Sequence, residues 1–309
     1  MEKEKLILLH WIGRFGNRMF QYAFGKCYAE LHGLTFYTPS AWEGTALFKM
    51  PCQVLQNMQL DGKQFCMASR KNALVEYNTR LCDDVQFISF ARPQCGKNIA
   101  FDDLHCMYYK HNFSIMSASF IRQVFTFSDE VRASDMFKDL ESKKGTYDVV
   151  HVRRGDISKK GYRGAHSMVS LESTKKAIAA NGFEYDKMIV VSDDVSLRTV
   201  NKWHAKSVGH KWSYPCGECP QPDIFFDFLP DFLTMHFART LFRSNSSFSW
   251  WAAELSDAIV YSPIVPIKPV DKRNMHVVAE CEFVNGNHPH FMGNASEGVF
   301  HDIVLGNTQ

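Results

Sequence analysis

The sequence predicts an α/β fold in which parallel strands alternate with helices. Near the N-terminus a short apolar run, a glycine-containing turn and a helical pattern follow one another. From residue 147 onward, further short apolar runs alternate with helical patterns. Such alternation is typical of parallel sheets covered by helices on both faces. Ligands of these sheets bind at the carboxyl ends of the strands, so we expect the functional residues there.

The first strand, turn and helix are expected between residues 6 and 33. Residues 6–11 form an apolar run that predicts a buried strand, and glycines then break the pattern. Apolar residues, among them Phe20 and Phe24, recur at helical spacing until Gly33, where the helix should end. Residues 39–127 show no clear period and predict a helical, loop-rich region.

The second half has clearer signals. Strands are expected at residues 147–152, 187–192, 241–244 and 258–261. Helices are expected at residues 170–180, 195–204, 231–240 and 248–256. The charged residues 132–145 indicate a linker between two halves. We therefore expect an N-terminal domain over residues 1–140 and a C-terminal domain over residues 141–309.

Composition excludes some classes of partner. The 309-residue chain has a net charge of +2 and a pI near 8.0, too small a field to indicate nucleic acid or an acidic membrane. No apolar run reaches roughly 18 residues, and the charged residues 1–5 do not resemble a secretion signal. Peripheral membrane association stays open. The nine scattered cysteines favour a cytoplasmic enzyme with reduced thiols, and Cys216 and Cys219 are expected to be structural or incidental rather than zinc ligands.

The most informative motif is His151-Val-Arg-Arg-Gly-Asp156, which follows a predicted buried strand. Adjacent arginines at a strand end point in different directions. One guanidinium can therefore bind a phosphate while the other braces the loop. Fixed positive charge of this kind is what a departing diphosphate needs when no metal is present. An exposed basic turn that pairs with Asp156 is the alternative, and an Arg-Gly-Asp adhesion site is disfavoured because the tripeptide directly follows a strand.

Three other segments stand at strand ends. Ser244-Asn-Ser-Ser-Phe-Ser-Trp-Trp-Ala-Ala253 can present backbone N–H groups and a positive helix end to an anion, or can be a simple helix cap. Its two tryptophans are expected in the core. Gly13-Arg-Phe-Gly-Asn-Arg-Met-Phe-Gln-Tyr22 allows close backbone approach at a helix start. Val191-Ser-Asp-Asp194 supplies carboxylates for a nucleoside, or caps the next helix.

Together these segments resemble the α-1,2-fucosyltransferases of glycosyltransferase family 11. That family is similar in its glycine-Asn turn, its His-x-Arg-Arg-Gly-Asp strand end, its Ser-Asp-Asp strand end and its Asn-Ser-Ser/Thr-Phe-x-Trp-Trp segment. All four occur here in order, across most of residues 6–262. The resemblance implies a GT-B-like fold, in which two Rossmann-like domains face a cleft and the C-terminal domain holds GDP-fucose.

The resemblance also implies roles for individual residues. The expected catalytic residues are Arg153, which would hold the β-phosphate, with Asn17 and Asp156. The expected GDP-fucose-binding residues are His151, Arg154, Asp193, Asp194, Ser246, Ser247, Phe248, Arg14 and Gly16. No metal or other cofactor is expected, because an Asp-x-Asp motif at a suitable strand end is not found in the sequence. The implied reaction is an inverting transfer of fucose to the 2-hydroxyl of a galactose-terminated glycan.

Two alternatives stay open at this point. Protein O-fucosyltransferases carry a similar Gly-Arg-Phe-Gly-Asn segment, so the acceptor could be a protein or the linkage could differ. A protein that binds a sugar nucleotide or a glycan without catalysis is an alternative of another class. The intact arginine pair and Ser-rich segment favour the enzyme over the binding protein.

Overall fold

The computed structural model describes residues 4–50, 53–54, 65–68, 98–101, 118–155, 157, 168–200, 202–207, 226–265 and 278–288. For residues 65–68, 98–101 and 205–207 only the backbone is described. The described residues divide into two compact units, one of residues 4–129 and one of residues 130–288. The expected boundary between residues 140 and 141 stays a prediction, as does a cleft between the two domains.

The first unit contains a four-stranded sheet in which every pairing is parallel. Its strands are β1 Lys5–Leu8, β2 Thr35–Tyr37, β3 Phe65–Ala68 and β4 Asn98–Phe101, in the order β2-β1-β4-β3. Its helices are α1 Phe15–His32, α2 Glu43–Leu47 and α3 Ala118–Val124. The α/β class of the predicted GT-B-like fold is therefore confirmed in this unit.

Helix α1 confirms the predicted helix after the glycine turn. It ends at Gly33, whose φ of 65° is the left-handed conformation that suits glycine at a helix end. Phe20 and Phe24 are buried on α1, as expected. The strand predicted for residues 6–11 is shorter, because β1 ends at Leu8.

The prediction of a helical, loop-rich region for residues 39–127 is wrong in part. This stretch supplies β3 and β4, two of the four strands of the first sheet. Each strand has four residues, and a strand that short leaves little periodic pattern in the sequence. Parallel strands also receive their partners from distant parts of the chain, so local sequence carries little sign of the pairing.

The second unit contains a five-stranded mixed sheet. Its strands are β5 Asp148–Val152, β7 Ile189–Ser192, β8 Thr240–Phe242, β9 Ile259–Ile264 and β11 Glu282–Asn285, in the order β11-β9-β8-β5-β7. All pairings are parallel except that of β11 with β9. The short strands β6 Met168–Val169 and β10 Val278–Ala279 form a separate parallel pair. The predicted strands of this half are confirmed, with boundaries shifted by a few residues.

Helices α4 Asp129–Ala133, α5 Asp135–Glu141, α6 Leu171–Ala180, α7 Lys202–Ser207, α8 Leu229–His236 and α9 Ser247–Glu254 accompany the sheet. The Ser170 side chain accepts a hydrogen bond from the Ser173 N–H and caps α6, as predicted. Pro230 lies in the first turn of α8, also as predicted.

The predicted linker and the first part of the helix predicted for residues 195–204 are wrong. Residues 132–145 are not a linker, because α5 buries Met136, Phe137 and Leu140 along one side. Phe137 packs edge-on against Phe237, with ring centroids 5.1 Å apart. Residues 195–200 are not helical. There the chain turns back along β7, and the Thr199 hydroxyl accepts a hydrogen bond from the Val190 N–H at 2.9 Å.

The segment from residue 278 to 288 completes the sheet. Strand β11 pairs antiparallel with β9, where Phe283 lies opposite Pro263. An edge strand that runs antiparallel is common in sheets of this kind. The expected end of the last parallel strand at residue 261 is wrong, since β9 continues to Ile264 in order to pair with β11.

The described helices include none that is long and apolar enough to cross a membrane.

The core of the second unit lies on both faces of β5, β7 and β8. One cluster holds Val150, Val152, Ile178, Met188, Val190 and Phe242. Trp250 and Trp251 are buried in α9, which confirms that they belong to the core.

We predict that Gly25→Ala lowers the free energy of unfolding by about 1–3 kcal/mol. A Cβ at Gly25 would overlap the ring of Phe36, where α1 packs on β2. That ring is held in turn by Tyr22, with centroids 5.5 Å apart, so it cannot move aside freely. Chemical denaturation measures the change. Leu31→Ala, on an exposed position of the same helix, is the control and should stay within about 0.5 kcal/mol. A Gly25→Ala variant as stable as that control would contradict this packing.

Candidate active site

The order of the strands places the candidate site between β5 and β8. From β5 the chain continues to β7 on one side of β5, whereas β8 lies on its other side. The strand order thus reverses at β5 and β8, and ligands of such sheets bind outside the carboxyl ends at that point. The residues that follow these two strands are Arg153 and Arg243 with their neighbours.

The two adjacent arginines after β5 point in different directions, as the sequence predicted. Arg153 Nη1 donates to the Asn245 carbonyl across the gap to β8, at 3.5 Å. Arg154 Nη1 donates to the Arg153 carbonyl at 2.8 Å. Its guanidinium interacts with Asp193 and Asp194 at the end of β7, and burial lowers the pKa of Arg154 from its ordinary value. Arg153 therefore faces the β8 side of the site and Arg154 braces the β7 side.

Gly155 allows the loop after β5 to pack against the end of β7. A Cβ at this position would overlap the carboxylate of Asp193. That carboxylate accepts a hydrogen bond from the Arg154 N–H at 2.6 Å. The glycine of the arginine motif is thus required for the close approach of Asp193 to the backbone.

His151 lies inside the protein, directly beneath the arginine pair. It is 7% exposed, and a hydrogen bond of 2.8 Å joins its Nδ1 to the Ser244 hydroxyl at the end of β8. Burial, together with the positive charges of Arg153 and Arg243, lowers the pKa of His151 to about 3. His151 is therefore neutral near pH 7. It links the ends of β5 and β8 without adding charge to the site.

Helix α9 begins at the candidate site. Ser246 is its N-cap and accepts a hydrogen bond from the Phe248 N–H at 3.3 Å, so the cap interpretation of this segment is correct for that side chain. Ser247 is the first residue of the helix and is partly exposed. Phe248 packs edge-on against His151, with centroids 6.1 Å apart. The positive end of the helix and Arg153 thus lie at the same edge of the sheet.

Asp193 and Asp194 follow β7 and have different partners. Asp193 is exposed apart from its contact with the arginine loop. The Asp194 carboxylate accepts hydrogen bonds from Ser196, from N–H at 2.9 Å and from the hydroxyl at 2.7 Å. These hydrogen bonds lower the pKa of Asp194. The predicted helix cap is instead a local turn, because an Asp side chain can bond the backbone two residues on without a helix.

None of the sequence motifs predicts a role for Arg243, the first residue after β8. Its side chain is 1% exposed and donates through Nε to the Ser262 hydroxyl at 2.7 Å. Burial lowers the pKa of Arg243 to about 9. The one sign in the sequence is a charged residue at the end of a predicted buried strand, where charge is rare unless the residue is paired.

Arg14, Gly16 and Asn17 belong to the first unit. Arg14 is the exposed residue before α1, while Gly16 is buried in the first turn of that helix. The Asn17 N–H donates to the Arg14 carbonyl at 2.9 Å. Gly13, at φ 73°, lies close to the Asn17 side chain. The structure groups these three residues at one helix start, and their role toward a sugar stays a prediction.

The preceding loop is fixed to α1 by a buried glutamine. Gln21 Oε1 accepts from the Ile12 N–H at 3.0 Å, and Nε2 donates to the His10 carbonyl at 3.3 Å. Arg18 is held by a 3.0 Å ion pair with Glu43. These contacts fix the turn that carries Arg14 and Asn17.

Some predicted residues lie outside the described part of the chain. Asp156, the candidate base, is one of them, as are Cys216 and Cys219. Within the described ranges, no group of three or more His, Cys, Asp or Glu side chains is placed to hold a metal ion.

The sequence matches no protein-family model and no curated protein. Among solved structures, the fucosyltransferase NodZ from Bradyrhizobium is 16% identical, with 92% of this chain and 99% of that chain covered at a TM-score of 0.47. A mutant of Arabidopsis thaliana FUT1 in complex with GDP is 11% identical, with 92% and 74% covered and a TM-score of 0.44. POFUT1 in complex with GDP-fucose is 12% identical, with 83% and 96% covered and a TM-score of 0.43. The proposed function therefore rests on the residues of the site.

We predict that His151 makes folding less favourable as the pH falls. The unfolded imidazole binds a proton near pH 6.5, whereas the buried one does so only near pH 3. The free energy of unfolding should therefore fall between pH 6.5 and pH 5, by about 1.5 kcal/mol from this group. Denaturation curves of the wild type and of His151→Asn at both pH values measure it. Equal losses in the two proteins would show that His151 is protonated in the folded state.

Proposed function

We propose that this protein is an inverting fucosyltransferase that transfers fucose from GDP-β-L-fucose without a metal ion. The observation that carries the proposal is the contact of Arg153 with the segment that begins helix α9. Arg153 donates to the Asn245 carbonyl across the switch point of the parallel sheet, and Asn245 directly precedes the N-cap of α9. A guanidinium and a helix N-terminus together form an anion site suited to a diphosphate. The four motif segments that resemble fucosyltransferases supply the identity of the donor.

The charges of the site support a diphosphate rather than a neutral ligand. Arg153 and Arg154 follow β5, and Arg243 follows β8. The neutral His151 and the hydroxyls of residues 244, 246 and 247 lie nearby and add no negative charge. Among the described residues that follow these strands, the carboxylates of Asp193 and Asp194 lie on the β7 side. That side suits the N–H groups of guanine or the hydroxyls of ribose, which donate to carboxylates.

The proposed reaction is a single displacement. The acceptor hydroxyl attacks C1 of fucose, the bond from C1 to the β-phosphate oxygen breaks, and GDP leaves with the bonding electrons. The hydroxyl proton leaves to a base or to water, and Asp156 is the candidate carboxylate for that step. Arg153 and the helix start stabilise the negative charge that builds on the diphosphate in the transition state. Inversion at C1 turns the β-linked donor into an α-linked product.

The acceptor we propose is a galactose-terminated glycan, fucosylated on its 2-hydroxyl. This part rests on the resemblance of the motifs to α-1,2-fucosyltransferases. The segment Gly13-Arg-Phe-Gly-Asn17 is similar to one in protein O-fucosyltransferases and supports a protein acceptor as the second candidate. Incubation with a β-galactoside and with folded protein domains separates the two, provided that the linkage of the product is determined.

A cytoplasmic location is part of the proposal and is supported by the cysteines. Cys27 and Cys281 are free thiols among the described residues. Burial raises the pKa of Cys27 to about 11 and that of Cys281 to about 12. Both thiols therefore stay protonated and unreactive near neutral pH.

We predict that Arg153→Ala lowers kcat by about a hundredfold to a thousandfold, because the charge that stabilises the departing diphosphate is lost. The kcat of Arg153→Lys should lie between those of the wild type and Arg153→Ala, since an ammonium group keeps the charge but cannot bind two oxygens at once. Arg132→Ala, at an exposed position on α4, is the matched control. Release of GDP with and without acceptor measures turnover. Wild-type turnover in Arg153→Ala would refute the mechanism.

We predict micromolar binding of GDP and GDP-fucose in the presence of EDTA, and none of UDP-galactose. Arginines and a helix start need no metal to hold a diphosphate, and carboxylates after β7 select the base. Isothermal titration with GDP, GDP-fucose, GDP-mannose and UDP-galactose measures this. Binding of GDP that requires a metal, or no binding at all, would contradict the donor assignment.

A further inference from the structure

Arg243 is a charged side chain held inside the protein at the end of β8. It is among the largest fully buried side chains, and residues 244–247 lead from it directly into α9. Burying a guanidinium is costly unless its N–H groups are hydrogen-bonded in good geometry. Arg243 directly precedes residues 244–247 of the proposed diphosphate site, so its hydrogen bonds must offset the cost of burying it there.

The guanidinium joins three separate segments of the second unit. Nε donates to the Ser262 hydroxyl of β9 at 2.7 Å, and Nη1 donates to the Ser244 carbonyl at 3.4 Å. Nη2 donates to the carbonyl of His288, which follows β11. A planar group with five N–H donors can reach acceptors in three directions at once, and an ammonium group on a flexible chain cannot do so in the same geometry.

Ser262 extends this contact to the segment after β11. Its hydroxyl is fully buried, accepts from the His288 N–H at 3.1 Å and donates to the Gly286 carbonyl at 2.7 Å. Gly286 has a φ of 111°, which favours glycine at this turn. Residues 286–288 are therefore fixed against β9 and against Arg243.

The same contacts continue into the proposed diphosphate site. The Ser244 carbonyl accepts from Arg243, while the Ser244 hydroxyl bonds His151 Nδ1 at 2.8 Å. From residue 287, Asn287 Nδ2 donates to the Trp250 carbonyl at 3.1 Å and to Glu254 Oε2 at 2.9 Å, both in α9. One connected set of hydrogen bonds thus holds both the loop before α9 and the helix itself.

We propose that Arg243 is a positioning residue, which holds residues 244–247 and the start of α9 in the geometry that binds the diphosphate. It acts through Ser244 and through residues 286–288, and it does not itself contact the substrate. The inference rests on the proposed function for its ligand. The placement of the loop by Arg243 rests on the hydrogen bonds alone.

The first test compares Arg243→Lys with Arg239→Lys. Arg239 lies at the opposite end of β8, more than half exposed, and pairs with Asp148 through Nε at 3.0 Å and Nη2 at 2.5 Å. The same substitution is thus made at both ends of one strand. Arg243→Lys should weaken GDP binding about tenfold to a hundredfold and lower kcat, with the KM for acceptor unchanged, because only the loop has moved. Arg239→Lys should stay within about twofold of the wild type.

Amide hydrogen exchange provides a readout that does not depend on catalysis. In Arg243→Lys the amides of residues 246–248 and 286–288 should exchange about tenfold faster, while the strands β5 and β7 keep their protection. Ser262→Ala keeps the guanidinium and removes one acceptor, so it should change the same amides by less. This second variant answers the question even if Arg243→Lys does not fold.

Exchange and GDP binding in Arg243→Lys that match Arg239→Lys would overturn the proposal, as would faster exchange spread evenly over the unit. A wild type that does not bind GDP would overturn the proposed function instead. The exchange experiment would then still decide whether Arg243 holds the loop.

Discussion

The pairing of β5 with β7 on one side and with β8 on the other is the constraint on which the site depends. Val152 lies beside Ser192, and Val150 lies beside Phe242, in parallel register. The three strands therefore end at one edge, although their sequences are separated by tens of residues. Every group of the site in the second unit follows from that edge. The arginines leave β5, the carboxylates leave β7, and the serines and α9 leave β8.

The charge at this edge of the sheet depends on which groups are buried there, and the overall composition of the chain does not reveal it. The chain as a whole has a net charge of only +2, yet guanidiniums gather at the ends of β5 and β8. The effect of burial is clearest at His151, which is neutral. Its neutrality follows from burial beside positive neighbours, and it can then bond Ser244 without repelling a cation. A protonated imidazole in that place would oppose the arginines that surround it.

Much of the fold could be predicted because its signals are local. The helix end at Gly33, the cap at Ser170 and the buried tryptophans of α9 each depend on a few neighbouring residues. The strands β3 and β4 could not be predicted, since four residues in a parallel sheet take their order from distant partners. Helix α5 was hidden by its charged outer face, although Met136, Phe137 and Leu140 lie inward. Local sequence patterns predict single helices and strands, whereas the order of the strands depends on pairing between distant segments.

The candidate site shows the same division. The arginine motif and the Ser-rich segment were recognisable because short motifs at strand ends have a physical meaning. Arg243 was not, since the sequence shows a charged residue at the end of a predicted strand but does not show that Ser262 and His288 accept hydrogen bonds from it. For the Asp194 side chain the sequence left a nucleoside contact and a helix cap open, and the structure replaces the cap by hydrogen bonds to Ser196. A buried charge is visible in a sequence only through the residues that compensate it, and those lie far along the chain.

The return of residues 286–288 to β9 and α9 has a consequence for how the protein is made. A ribosome releases the chain in order, and earlier segments can begin to fold while later ones are still being added. The strands β5, β7 and β8 and the first turn of α9 are all synthesised before Gly286. The nascent unit therefore contains the residues of the candidate anion site before it contains residues 286–288, which contact Arg243 and α9. A chain interrupted between α9 and Gly286 would display the motif residues in full and still lack the support that fixes them.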